Sequence, residues 1–101
     1  MTLREKQSLF VALVARLITH AYALGYEVTF GCARCHLPGH HAPWSLHYKG
    51  LAIDLNLFKG GKWLTDGSGH DVLHEYWTSI GGSKPIPGDL NHFSLEHEGI
   101  R

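Results

Sequence analysis

The segment LAIDLNLF, Leu51–Phe58, decides how this chain is expected to fold. Leucine or isoleucine occupies every second position from Leu51 to Leu57, with Ala52, Asp54 and Asn56 between them. Because successive side chains of a β-strand point to opposite faces, this alternation predicts a strand with one apolar face. That face packs against the core, and Asp54 lies on the other face.

Helices are predicted on both sides of this strand in the sequence. Apolar residues at helical spacing predict one from about Thr2 to Leu24, which Gly25 ends in a left-handed conformation. A second helix is predicted from Asp66 to about Ile80. Three further strands are expected, at Tyr26–Phe30, Trp63–Leu64 and Asn91–Glu96. Residues 1–101 then form one α+β domain, with helices packed on one face of a small, mainly antiparallel sheet.

Charge and hydropathy narrow the functional classes. Nine acidic and nine basic residues give a net charge of zero with histidine neutral, which argues against a nucleic-acid partner held through its phosphates. The apolar run near the N-terminus is interrupted by Arg16 and His20 and is too short to span a bilayer. We therefore expect no signal peptide, no membrane insertion, and a monomer in the cytoplasm of the producing cell.

The last predicted strand places a histidine opposite the core. Alternation in Asn91–Glu96 buries Phe93 and Leu95 and turns His92 to the other face. Asp54 and His92 are therefore expected to share one face of the sheet. From alternation alone, two solvated polar residues on an open sheet face remain the alternative.

Two short motifs give this face a chemical interpretation. The segment SLHYKGLAID, Ser45–Asp54, fits the pattern S-x-H-x-x-G-x-A-x-D, and DLNHF, Asp89–Phe93, fits D-x-x-H. Both resemble the zinc peptidase family that contains the VanY-type D,D-carboxypeptidases and the L-alanyl-D-glutamate endopeptidases. The order of helix, strand, arginine and motifs is also similar, especially to that of short phage and prophage endolysins. The resemblance implies a hedgehog/D-Ala-D-Ala peptidase-like fold with zinc on the sheet face away from the helices.

The resemblance also implies a role for each matching residue. A catalytic zinc keeps three protein ligands and leaves a fourth position for water. A carboxylate then takes a proton from this water and passes it to the leaving amine. The implied assignments are zinc ligation by His47, Asp54 and His92, proton transfer by Asp89, site shaping by Ser45, and binding of a substrate carboxylate by Arg34. Glu96 is the alternative proton carrier, but it lies roughly 13 Å along the strand from His92.

These roles predict hydrolysis of a peptide bond in the stem peptide of bacterial peptidoglycan. An L-Ala–D-Glu endopeptidase acting as an endolysin, released from the cytoplasm to the cell wall, is favoured. The alternatives are a D-Ala–D-Ala carboxypeptidase and a non-catalytic zinc-containing binding module, against which the presence of Asp89 argues. The segment Ser83–Pro87 lacks the aromatic residues that the family often has there, which leaves the preferred bond open.

The remaining cysteines and histidines have simpler interpretations. Cys32 and Cys35 with His36 spell C-x-x-C-H, but haem attachment requires export and a suitable axial ligand. Unpaired thiols are expected, with a disulfide or a structural zinc site that includes His40 or His41 as alternatives. His70 and His74 are predicted to be surface residues of the second helix, since H-E-x-x-H fails at Thr78.

Overall fold

A computed structural model of the protein describes residues 1–31, 41–42 and 44–101. It contains a four-stranded antiparallel sheet and two helices, and this α+β architecture is the predicted one. The elements are α1 (Leu3–Ala23), β1 (Glu27–Phe30), β2 (Ala52–Lys59), β3 (Lys62–Leu64), α2 (Ser68–Ser79) and β4 (His92–Ser94). Most of the residues between β1 and Trp44 lie outside the described residues.

Helix α1 has clear signals at both ends. The Thr2 side chain accepts a hydrogen bond from the Glu5 backbone, and the Glu5 side chain accepts one from the Thr2 backbone, which forms a capping box. Gly25 follows the helix with φ of 89°, as predicted for a left-handed terminator. Within the described residues, no helix is long and apolar enough to cross a membrane.

Strand β2 organises the sheet because it pairs with all three other strands. Phe58 is paired with both Glu27 of β1 and Trp63 of β3, so β1 and β3 lie on opposite edges of β2. Strand β4 pairs with the first half of β2, where Asp54 lies opposite His92. The two predicted polar residues thus occupy neighbouring positions on one sheet face.

The apolar face of β2 forms the centre of the core, as the alternation predicts. Leu51, Leu55 and Leu57 are fully buried and Ile53 is 5% exposed. Helix α2 contributes Trp77, and β4 contributes the fully buried Phe93. The Trp77 indole contacts Phe93 edge-on and donates a hydrogen bond of 2.9 Å to the Ser94 carbonyl.

The prediction that His70 and His74 are surface residues is wrong, since each is only 4% exposed. The physical reason is the close approach of α2 to the sheet at Gly69, where a Cβ atom would lie 3.0 Å from Tyr26 and 3.1 Å from Leu57. The residues on this side of α2 are buried against the strands, whatever their polarity.

Each helix histidine satisfies one of its two ring nitrogens, Nε2, through the backbone. The Nε2 atom of His70 donates to the Leu55 carbonyl at 2.9 Å, and that of His74 donates to the Leu90 carbonyl at 2.6 Å. The His74 ring also stacks on Phe93, with 4.1 Å between ring centroids. Burial lowers the pKa of His74 below its ordinary 6.5, against the opposing effect of its hydrogen bond to Leu90.

Candidate metal centre

His47 lies in a turned segment just before β2 and is 2% exposed. The segment is anchored by buried Leu46, whose carbonyl accepts hydrogen bonds from the backbone of Lys49 and of Leu51 at 3.1 and 3.0 Å. The backbone N–H of His47 donates to the Ser45 hydroxyl oxygen at 3.2 Å. The turn therefore holds the backbone of His47 from two sides.

Asp54 and His92 come from neighbouring strands. The Asp54 carbonyl accepts from the Gly31 N–H on the β1 side, and the Leu55 N–H donates to the Asn91 carbonyl on the β4 side. The Asp54–His92 pair is therefore of the non-hydrogen-bonded type, in which opposite side chains come closest together. The backbone ladder alone brings these two groups within contact range.

Three ligand atoms converge at this point. The His47 Nε2 atom lies 3.1 Å from Asp54 Oδ1 and 3.2 Å from His92 Nδ1, and His92 Nδ1 lies 3.7 Å from Asp54 Oδ1. Zinc binds nitrogen and oxygen ligands at about 2.0–2.2 Å, which places the corners of a tetrahedral site about 3.3 Å apart. The observed triangle has this size, and its two imidazoles and one carboxylate form a donor set that zinc accepts.

His41 offers a second triangle with the same partners. Its ligand atom and those of His47 and Asp54 all lie within 4.8 Å of one another, so this group could also hold a metal ion. However, the rings of His41 and His47 are stacked, with 4.1 Å between centroids and 9° between planes. A metal ion lies close to the plane of each imidazole that binds it, and parallel planes do not meet.

The rings of His47 and His92 are oriented differently. They meet edge to face at 71°, with 5.1 Å between centroids, so their planes intersect. A single ion near the intersection of these planes can accept a lone pair from both rings. The ring orientations therefore favour His47, Asp54 and His92 as one ligand set, with His41 packed against it.

The electrostatic surroundings keep the Asp54 carboxylate charged. Burial of the carboxyl raises its pKa, but hydrogen bonds and favourable charge interactions with His47 and His92 together outweigh burial and lower the pKa of Asp54 to about 2. A carboxylate that stays ionised at all physiological pH values is a competent ligand for a divalent cation.

Asp89 stands at the edge of this triangle. Its side chain is half exposed, and its Oδ2 atom lies 3.9 Å from His92 Nδ1. A tight turn fixes its backbone, because the Asp89 N–H donates to the Ile86 carbonyl at 3.0 Å and the Asp89 carbonyl accepts from the His92 N–H at 3.2 Å. The carboxylate is thus close to the candidate ligand atoms while remaining accessible to solvent.

The triangle forms part of the wall of an open cavity of about 340 Å³. Ser45 and Asp89 line this cavity, as do His41, Trp44 and Arg101, whereas Glu96 is exposed and is not part of its lining. Arg34, predicted to bind a substrate carboxylate, lies outside the described residues, as do Cys32 and Cys35.

Sequence reasoning did not anticipate that Trp44 and Arg101 line this cavity. Trp44 is 67% exposed, and Arg101 is brought there by the turn of Glu98 and Gly99, whose φ angles are 49° and 80°. The Glu-Gly pair before Ile100 is the one local signal of this reversal, since positive φ at both central positions is typical of a two-residue hairpin.

Compared with family models, curated proteins and solved structures, the chain matches none of them.

Proposed function

We propose that this protein is a zinc metallopeptidase that hydrolyses a peptide bond in the stem peptide of bacterial peptidoglycan. One observation carries the proposal: two histidine nitrogens and a carboxylate oxygen converge at 3.1–3.7 Å, with the Asp89 carboxylate 3.9 Å from one of them. A site that only stores or senses a metal has no need of an accessible carboxylate beside the ligands.

In this proposal His47, Asp54 and His92 hold the zinc. When bound, zinc lowers the pKa of its water towards about 7 and polarises the scissile carbonyl. Asp89 takes a proton at its carboxylate and returns it to the leaving amine, which its half-exposed position allows. Ser45 supports the ligands by accepting the His47 N–H, and the cavity wall excludes part of the solvent from the reacting groups.

The choice of a peptidoglycan substrate rests on the S-x-H-x-x-G-x-A-x-D and D-x-x-H motifs and the family that they resemble. The same resemblance supports the hedgehog/D-Ala-D-Ala peptidase-like fold as part of the proposal. Within the stem peptide we favour the L-Ala–D-Glu bond, with D-Ala–D-Ala as the alternative. The segment Ser83–Pro87, which departs from the family pattern, borders the site through Ile86, a residue of the cavity wall.

Digestion of purified peptidoglycan fragments, followed by mass spectrometry, tests the proposal directly. The zinc-loaded protein should release products cut at one bond of the stem peptide, and the masses identify that bond. Asp89→Asn should keep zinc and fold but lose about 10²–10⁴-fold in turnover. Glu96→Gln is the matched control, because Glu96 is an exposed carboxylate outside the cavity, and it should cut normally.

Two results would refute the proposal in different ways. Full turnover by Asp89→Asn together with loss in Glu96→Gln would reassign the proton carrier. Tight binding of stem peptides by the zinc protein, with no cleavage of any fragment, would identify a binding module instead of an enzyme.

A further inference from the structure

A second cavity, of about 240 Å³, lies beside the one that contains the metal ligands. Asp89 belongs to the walls of both, so the two cavities adjoin each other at this residue. The other residues that line the second cavity are Asn56, Trp63, Leu64, Thr65, His70, Gly88, Leu90 and Asn91. The proposed reaction uses none of these residues.

The sheet register places Asn56 and Trp63, two of the residues that line this cavity, on the face of the sheet that carries Asp54. Asp54, Asn56 and Phe58 alternate along β2 and therefore share one face. Trp63 is paired with Phe58 across β2 and β3, and paired residues project to the same face. The Trp63 ring therefore lies further along the face that carries Asp54.

The lining combines one large aromatic surface with neutral hydrogen-bonding groups. Trp63 is 57% exposed, although tryptophan side chains are highly buried on average. The amides of Asn56 and Asn91 approach each other at 3.5 Å, and Thr65 adds a hydroxyl. A pyranose ring matches this combination, because it presents an apolar C–H face to an aromatic ring and polar hydroxyl and amide groups at its rim.

Distances along β2 relate this cavity to the metal ligands. Asn56 lies two strand residues from Asp54, about 7 Å, and Trp63 lies opposite Phe58, four strand residues from Asp54, roughly 13 Å. In peptidoglycan a lactyl group and one alanine, about 7 Å when extended, separate the muramyl ring from the L-Ala–D-Glu bond, whereas five residue lengths, about 17 Å, separate it from the D-Ala–D-Ala bond. A ring between Asn56 and Trp63 lies about 10 Å from Asp54, which is nearer to the shorter of these separations.

We propose that this second cavity is a saccharide subsite that binds the muramyl sugar to which the stem peptide is attached. Trp63 stacks on the sugar ring, and Asn56 and Asn91 hydrogen-bond to its substituents. The proposal rests on the proposed peptidase function and deepens it: the substrate is a glycan-linked peptide, cut at the bond next to its first residue.

Kinetics with two matched substrates tests the role of Trp63. One is an N-acetylmuramyl tripeptide, and the other is the same tripeptide with a lactyl group but no sugar. Trp63→Ala should lower kcat/KM about tenfold for the first and less than about twofold for the second, and Trp63→Phe should restore much of the loss. Trp44→Ala is the matched control, since it removes the exposed tryptophan of the metal cavity and should affect both substrates equally.

A binding measurement separates this proposal from the enzymatic one. Titration of the wild-type protein with N-acetylmuramyl-L-alanine, which has no L-Ala–D-Glu bond to cut, should shift the indole N–H signal of Trp63 in NMR spectra. The signal of Trp77, which is buried and bonded to Ser94, should not move. A Trp63 shift without cleavage of any substrate by the wild type refutes the peptidase and supports the subsite. Equal cleavage of both substrates with no Trp63 shift overturns the subsite and leaves the peptidase standing.

Discussion

Two pairs of buried histidines in this molecule differ in what their ring nitrogens face. In α2, His70 and His74 each direct Nε2 at a single backbone carbonyl, at 2.9 and 2.6 Å. In the candidate metal centre, His47 and His92 each direct one ring nitrogen at the other and at Asp54. All four rings are at most 5% exposed, so burial alone does not separate a structural histidine from a ligand.

The difference follows from hydrogen-bonding chemistry. A carbonyl only accepts, so it fixes the proton of the facing ring nitrogen and uses the polar capacity of that atom. Two ring nitrogens and a carboxylate that face one another present several lone pairs with few protons between them. A cation stabilises such a set best. His70 and His74, the helix pair, need no cation at their Nε2 atoms and could not bind one there, because these atoms already donate to carbonyls.

The two pairs are nevertheless connected through the backbone. Leu55, whose carbonyl binds His70, directly follows Asp54, and Leu90, whose carbonyl binds His74, directly follows Asp89. The helix pair therefore holds the chain next to one ligand and next to the proposed proton carrier. In the proposed function, His47 and His92, the metal pair, bind the metal, and His70 and His74, the helix pair, fix the segments that surround it.

The largest effect that we expect from substitution of either histidine pair is on zinc affinity. We expect His47→Ala combined with His92→Ala to weaken zinc binding by about a thousandfold or more, because two of three ligands are lost. His70→Gln combined with His74→Gln is the control, since glutamine can still donate to the two carbonyls, and it should retain about one zinc per chain. Metal analysis after dialysis distinguishes the two, and undiminished zinc in the alanine variant would disprove the ligand assignment.

The second expected effect is a loss of folding stability when His74 of the helix pair is replaced. His74→Ala removes the ring stacked on Phe93 and leaves the partly buried Leu90 carbonyl without its donor. We expect the free energy of unfolding to fall by about 2–3 kcal/mol in urea titrations, with zinc stoichiometry unchanged. His20→Ala, which removes a partly exposed ring stacked on Tyr76, should cost less than about 1 kcal/mol.

The pH dependence of this loss has a definite sign. Burial lowers the pKa of His74 in the folded state below the 6.5 of the unfolded chain. The contribution of neutral His74 is therefore fully present above pH 6.5 and is lost as the pH falls through the folded pKa. The gap between wild type and His74→Ala should narrow on acidification, and a gap that widened would show that His74 folds in its charged form.

The sequence predicted the shared face of Asp54 and His92 correctly but the exposure of His70 and His74 wrongly, for a physical reason. Alternation along a strand is a local property, so it was enough to bring Asp54 and His92 to one face. The burial of His70 and His74 depends on how closely α2 approaches the sheet. Gly69 permits this approach, but a single glycine in a helix does not predict it. The contact of His41 with His47 likewise depends on a loop path that no periodicity encodes.

A third and smaller effect concerns the Asp54 carboxylate, which lies beside His47 and His92. Asp54 has a pKa of about 2 in the folded protein and an ordinary value of 3.8, so the unfolded chain binds more protons between these values. In metal-free protein its interactions with the two histidines should stabilise the fold by about 2 kcal/mol above pH 4. This contribution should be lost as the pH falls through about 2.

Urea unfolding of metal-free wild type and Asp54→Asn between pH 2 and 6 measures this contribution. The two curves should differ at pH 5 and converge near pH 2. Glu75→Gln, an exposed carboxyl of α2, is the control and should show no such convergence. A constant difference across the whole range would mean that the Asp54 charge does not contribute to folding.

The smallest effect that we expect is on the zinc affinity of a Ser45 variant. The helix pair is positioned by α2 itself, whereas His47 lies in a turn and depends on local hydrogen bonds such as that from its N–H to Ser45 Oγ. Ser45→Ala removes this acceptor at a cost of about 1 kcal/mol, which corresponds to zinc binding weakened about fivefold if the whole cost falls on the ligand. Ser45→Thr retains the hydroxyl and should bind zinc normally, and Ser79→Ala, on the exposed side of α2, controls for loss of a hydroxyl elsewhere. Competition with a chelator of known affinity measures all three variants. Equal affinity in Ser45→Ala and wild type would show that the turn holds His47 without this bond, and that the metal pair is as rigidly built as the helix pair.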